Sequence, residues 1–329
     1  MIEPQIESEQ FLSLLEKLMR TPTAPFREHE IRALLISEAQ KIPMVSITQD
    51  EWGNVLVSYA ARTKSDSWVF CAHMDHPGFV DGEFRGSIRP EYLNRNHGVT
   101  QFGAGIGMWA VPPFERTDGW IKSCACDDLV GCAVALETVF QHARAETHYN
   151  VHALFTVAEE VGLFGAALAC QSQLIPPHAT VISLETSPAL SERQFKSGCI
   201  VRVGDKRTIF TPAVTQTLLD AAISAGIPHQ RCLMDGGTCE ASIFYKAGYN
   251  TGALCVALGN PHNQHPQGRI DAEYVSETDV IHMLKLAALA PTITATDWLS
   301  GTESVEAIAE RARAEFRQSR QKKATHKTL

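Results

Sequence analysis

The chain has 329 residues, 44% of them hydrophobic, and 29 Lys and Arg against 37 Asp and Glu give a formal net charge of −8. That apolar content supports a large core and argues against disorder, while the acidic balance, with a basic stretch only in the tail from Arg311 to Lys327, argues against nucleic acid as a partner. No stretch is long and apolar enough to span a membrane, and the glutamates near the start, Glu3, Glu7 and Glu9, replace the basic region of a signal peptide, so the expected location is cytoplasmic and the cysteines are expected to be reduced.

Residues 8–20 and 26–41 carry apolar side chains at helical spacing, separated by the rigid turn Thr21-Pro22-Thr23-Ala24-Pro25. Short β-rich segments follow at 44–49, 53–59 and 67–72, the last continuously apolar as a central strand is. From Gly78 to Lys122 glycine, proline and arginine are frequent and no helical period survives. A structureless stretch of that length is uncommon in a compact domain, so 78–122 reads as a small β-rich insertion. Helical spacing returns at 128–145, and strand and helix alternate through 151–158, 162–170, 180–185, 200–204, 211–225, 238–247 and 251–257. Helices at 276–291 and 302–320 close the chain. The alternation predicts an α/β fold, a central and largely parallel mixed sheet with helices on both faces. The main domain is then discontinuous, 1–77 and 123–329.

Several apolar strands end on a polar group, as when one site is assembled at the carboxyl edge of an open sheet. His73 and Asp75 form an H-x-D pair. On a strand these residues share a face, so the carboxylate can accept the ring N–H and fix the tautomer that ligates metal; taken alone, the pair reads more readily as a hydrogen-bonded histidine at a strand end. Asp127-Asp128, between strand and helix, fits a helix N-cap as well as a bridging metal ligand. Glu159-Glu160 closes the apolar run from His152 to Ala158. Adjacent side chains there diverge, so one can hold a metal while the other takes a proton from water attacking a carbonyl and delivers it to the leaving nitrogen. Glu185 ends the strand TVISLE, and His262 follows 251–257, with His265 a rival for its role. Buried together these groups repel or protonate unless cations organise them. A set of oxygen and nitrogen donors suits two divalent ions, zinc first, then cobalt or manganese. Gly103–Gly107 imitates a dinucleotide loop, but its third glycine comes early and Pro112-Pro113 follows in place of a helix.

The strings HMDHPG, CDDLVGC, TVAEEVGLFGA, RVGD, IPHQ and DGGTCEA, with the histidine after 251–257, occur in one order over residues 8–290. Together they resemble the co-catalytic metallo-aminopeptidases, closest to the tetrahedral, glutamyl and deblocking aminopeptidases. The resemblance implies a zinc-exopeptidase-like fold, a peptide substrate cut at its amino terminus, two metal ions and a homo-oligomer. It makes Asp127 the bridging ligand, with His73 and Glu185 completing one metal site and Glu160 and His262 the other. Glu159 becomes the general base and Asp75 the partner of His73. Two departures qualify it. Glu185 stands where the family usually has aspartate, a choice shared with related carboxypeptidases and deacylases, which keeps a metal-dependent carboxypeptidase or N-deacylase as the alternative. The interval from His73 to Asp127 is also shorter than the insertion that drives assembly in the large shell-forming relatives. A non-catalytic scaffold descendant is the remaining reading, although every expected ligand type is present. No basic residue is nominated to hold a substrate carboxylate, and Glu240 is the candidate contact for a substrate amine.

Overall fold

The computed structural model describes residues 8–62, 65–93, 97–190, 194–293 and 304–325. The first unit, Met1–Thr294, opens with α1 (Ser8–Met19) and α2 (His29–Ala39). Phe11, Leu15 and Leu18 of α1 recur at the spacing of one helical face, and all three are buried. Strands β1 (Val45–Gln49), β2 (Val55–Tyr59) and β3 (Ser67–His73) follow. The chain then forms β4 (Gly78–Val80), β5 (Glu83–Arg85), α3 (Pro90–Leu93), β6 (Val99–Gln101) and β7 (Ile106–Trp109). These strands make a separate antiparallel sheet in the order β5-β4-β7-β6. The hairpin β8 (Glu115–Thr117) and β9 (Trp120–Ser123) rejoins the main sheet at its edge.

Next come α4 (Cys126–Arg144), β10 (Asn150–Thr156), α5 (Phe164–Gln171), β11 (Thr180–Pro188), β12 (Cys199–Asp205) and α6 (Pro212–Ser224). The unit finishes with β13 (His229–Met234), α7 (Ala241–Lys246), β14 (Asn250–Gly259), the short strands β15 (Gln264–His265) and β16 (Arg269–Ile270), then β17 (Glu273–Ser276) and α8 (Glu277–Leu289). Ser276 starts α8 by accepting the Asp279 N–H on its hydroxyl, an N-cap in the usual sense. In the second unit, Ala295–Leu329, the described residues form α9 (Val305–Thr325). Among the described residues no helix is long and apolar enough to cross a membrane.

The main sheet is mixed, as expected. Its centre, β10-β3-β11-β14, is parallel, and antiparallel pairs of β1 with β2, β2 with β10, and β14 with β17 extend it outward. Side chains alternate between two layers with the strand period of two. Phe70 and Ala72 of β3, Val151, Ala153 and Phe155 of β10, and Ile182 and Leu184 of β11 join the core around α4. Val69, Cys71, Leu154 and Val181 face the opposite layer with Ala166 and Ala169 of α5 and Phe244 of α7. α4 is buried on nearly every side because it packs against the sheet and against α1 and α8. Besides the two-residue strands β15 and β16, two strands do not follow from the sequence pattern. β13 pairs only with β12, and of its six residues only Cys232 and Met234 are buried. β17 is four residues long and begins with a buried acid, Glu273.

Candidate active site

Because the central strands are parallel, their carboxyl ends lie along one edge, and the polar groups there converge. His73 is the last residue of β3, Glu159 and Glu160 follow β10, Glu185 lies within β11, and His262 follows β14. Asp127 comes to the same place from the start of α4, where it and Asp128 depart from helical backbone angles across a cis peptide bond. The two aspartates divide the roles left open in the sequence. The Asp128 carboxylate accepts the Gly131 N–H at 3.0 Å and caps the helix, while Asp127 faces the cavity. A Cβ at Gly131 would displace that carboxylate from its capping position.

The His73 Nε2 atom is 3.3 Å from Asp127 Oδ1 and 4.0 Å from Glu159 Oε2. His262 Nε2 is 3.4 Å from Glu160 Oε2 and 3.8 Å from Asp127 Oδ2. Each imidazole donates its other N–H to a backbone carbonyl, His73 to Asp75 at 3.0 Å and His262 to Ser87 at 2.8 Å, leaving Nε2 as a donor atom towards the cavity. Ser183 donates to Glu185 Oε1 at 3.1 Å. Ligand atoms of His73, Asp127 and Glu185 lie within 4.8 Å of one another, as do those of Asp127, Glu160 and His262, and those of His73, Glu159 and Glu160. Asp127 is shared by the first two sets. His265 is elsewhere; its ring accepts the Gln267 N–H at 3.1 Å, and it lines a different cavity.

Asp75 acts differently from the H-x-D expectation. β3 ends at His73, so residue 75 no longer shares a strand face with it, and the carboxylate stands 3.6 Å from the ring nitrogen. That carboxylate instead accepts the Glu159 N–H at 2.9 Å and the Glu160 N–H at 3.1 Å. It thereby fixes the backbone that carries both glutamates.

The charges suit a cation. Burial, reinforced by neighbouring carboxylates, raises Glu159 and Glu160 well above the usual range, and burial pushes Glu185 up to about 7 against the pull of His73 and Arg202. Burial alone would lower His73, but Glu159, then Asp127 and Asp75, hold its imidazole well above normal. Burial would raise Asp127, yet the nearby imidazoles, His73 first and then His262, pull it down. Asp127 Oδ1 and Glu160 Oε1 are buried without a hydrogen-bond partner. Unpartnered carboxylate oxygens beside two imidazoles fit divalent ions, which would take the positive role that shared protons otherwise fill.

The surrounding cavity, of about 600 Å³, brings in residues the sequence did not nominate. Arg202 of β12 lines it at 4% exposure with its Nε unpartnered, and Arg207 lies at the rim. Gly236, Gly237 and Cys239 bring the DGGTCEA segment to the wall. Glu240, expected to meet a substrate amine, is instead fully buried and accepts the Cys71 thiol at 3.2 Å. It does not line the cavity.

Comparisons with known proteins agree with this fold. An aminopeptidase of the archaeon Desulfurococcus kamchatkensis superposes with a TM-score of 0.72 at 20% identity, covering 91% of this chain and 99% of that one. The Pyrococcus horikoshii TET1 peptidase, which can assemble into a tetrahedron or a large octahedral shell, gives 0.71 at 20% identity over 85% and 99% of the two chains. A curated protein of Acetivibrio thermocellus that carries an aminopeptidase name is 28% identical over 173 residues, 50% of this chain. The match spans about half, 49%, of that relative's length. The family model of M42 glutamyl aminopeptidase matches residues 94–286.

Proposed function

The chain belongs to the M42 glutamyl aminopeptidase family, and from that premise we propose that it removes amino-terminal residues from peptides with two divalent metal ions and Glu159 as the general base. The observation that carries the reading is the pair of donor sets, His73, Asp127, Glu185 and Asp127, Glu160, His262, that share one carboxylate beside Glu159. These residues would hold the ions, zinc by the donor types. When bound, such ions supply Lewis acidity that polarises a carbonyl and eases deprotonation of water.

The protein's own groups do the rest. Glu159 takes a proton from the attacking water and delivers it to the leaving nitrogen. Asp75 keeps Glu159 and Glu160 in register through their backbone N–H groups. The acidic cavity attracts a free amino group. Arg202, buried and with its Nε lacking a hydrogen-bond partner, supplies the opposite charge and favours an acidic side chain on the residue removed. Following the relative that forms shells, we also propose a homo-oligomer.

Arg202 also favours the carboxypeptidase reading that Glu185 keeps open, because it could hold a terminal carboxylate. A substrate panel separates the two. The aminopeptidase reading predicts cleavage of Glu-anilide ahead of Leu-anilide, loss of cleavage on N-acetylation, and indifference to C-terminal amidation of peptides. Cleavage that survives acetylation and stops on amidation would reverse the assignment. Arg202→Met is expected to lower the Glu-to-Leu preference by tenfold or more, on the order of the 1.5 kcal/mol that a charge-assisted hydrogen bond contributes.

A further inference from the structure

His262 reaches the cavity from a backbone that does not hold itself. Asn260, His262 and Asn263 have φ values of 53°, 53° and 62°, in the left-handed region that residues with a Cβ avoid. Such a turn persists only where its surroundings over-determine it. Glu273 does so from the sheet. Its Oε1 accepts the His262 N–H at 2.7 Å, and its Oε2 accepts the Asp127 N–H at 3.0 Å. β17, which carries Glu273, is itself fixed between β14 and β9. On the other side His76, fully buried, places Nδ1 2.7 Å from the Asp127 carbonyl oxygen and Nε2 3.1 Å from Asn263 Oδ1. The Asn263 amide donates to the Cys124 carbonyl at 3.0 Å.

We propose that Glu273 is a positioning residue that ties Asp127 and His262 together, one carboxylate spanning the backbone N–H groups of two side chains that face the same cavity. It touches neither substrate nor ion. A carboxylate is needed because two donors from distant parts of the chain require two acceptor oxygens. Glutamine has one, and its amide nitrogen would confront an N–H. The assignment of Glu273 rests on the proposed metal reading only for its consequence in metal binding, since the backbone clamp stands without it.

Amide hydrogen exchange on the full chain tests the clamp directly, in chelator-treated and zinc-loaded protein. In Glu273→Gln the segments around Asp127 and His262 are expected to exchange tenfold or more faster together, with β3 and the body of α4 unchanged. Unchanged exchange, or a change in only one of the two segments, overturns the proposal. Zinc titration of the same protein provides the second readout, with at least one ion weakened roughly 10–100-fold, as for other residues that orient ligands. Wild-type zinc affinity in a variant whose exchange has changed would overturn the link from clamp to ligand. Should Glu273→Ala fail to fold, Glu273→Gln, which preserves volume, carries the test. A wild-type protein that binds fewer than two ions would count against the two-ion reading, while the exchange result would still decide the clamp.

Discussion

Replacing Asp75 by asparagine perturbs the centre without touching any proposed ligand. Its two carboxylate oxygens each accept one backbone N–H, from Glu159 at 2.9 Å and from Glu160 at 3.1 Å, and the residue is completely buried. Asparagine keeps one oxygen and turns an amide group towards the other N–H. One hydrogen bond is lost and a buried donor is left unsatisfied, a cost of about 1–3 kcal/mol. If that cost falls on the productive placement of the glutamates, kcat/KM drops roughly 5- to 150-fold, at about 1.4 kcal/mol per factor of ten. The assay is kcat/KM on an aminoacyl anilide, with thermal unfolding measured alongside. Because the His73 ring donates to the Asp75 carbonyl, which asparagine retains, His73 should stay in place. Activity within twofold of wild type at an unchanged melting temperature would refute the claim that this carboxylate positions Glu159 and Glu160.

Three further outcomes follow from the same structure. Glu159→Gln should cut kcat by roughly 10²–10⁴ while the protein still binds its metal, read by turnover and metal analysis together; loss of metal instead would make Glu159 a ligand. The Glu28 carboxyl is pushed from 4.5 up to about 7, by burial first and then by Asp75. Between those values the folded chain keeps a proton that the unfolded chain has released, so the contribution is complete below pH 4.5 and lost as pH passes 7. Glu28→Gln keeps the oxygen that accepts from Phe26 and Ala158. It should exceed wild-type stability in urea by up to about 3 kcal/mol above neutral pH and show no such gap in mild acid, whereas a gap independent of pH would contradict this. Ser276→Ala, which removes the cap of α8, should cost about 1 kcal/mol of unfolding free energy; no measurable loss would mean that water replaces the cap.

Much of the site is legible in the sequence because buried parallel strands announce themselves. TVISLE and the run before His73 are largely apolar and uncharged up to a single carboxylate or imidazole, and such a group in that place has few roles on a surface it never reaches. The H-x-D argument fails in detail because it needs a strand that continues to Asp75, and hydrogen bonding ends β3 at His73. Nothing in the sequence singles out Glu273; only two N–H groups brought from distant segments explain its burial. Arg202 left a usable sign, an arginine inside the apolar strand CIVRVGD, whose meaning depends on a cavity that the chain order does not reveal. β13 escaped notice because an edge strand with one pairing partner needs little apolar character. DGGTCEA lies at the cavity wall, but its Glu240, the candidate contact for a substrate amine, points into the core, since a loop carries no periodicity from which to assign faces.

The central claim is a pair of metal sites sharing Asp127, and anomalous diffraction at the zinc edge from zinc-loaded crystals tests it most directly. Two peaks are predicted, one among His73, Asp127 and Glu185 and one among Asp127, Glu160 and His262. A single peak, or a second one at His265 in place of His262, would contradict it.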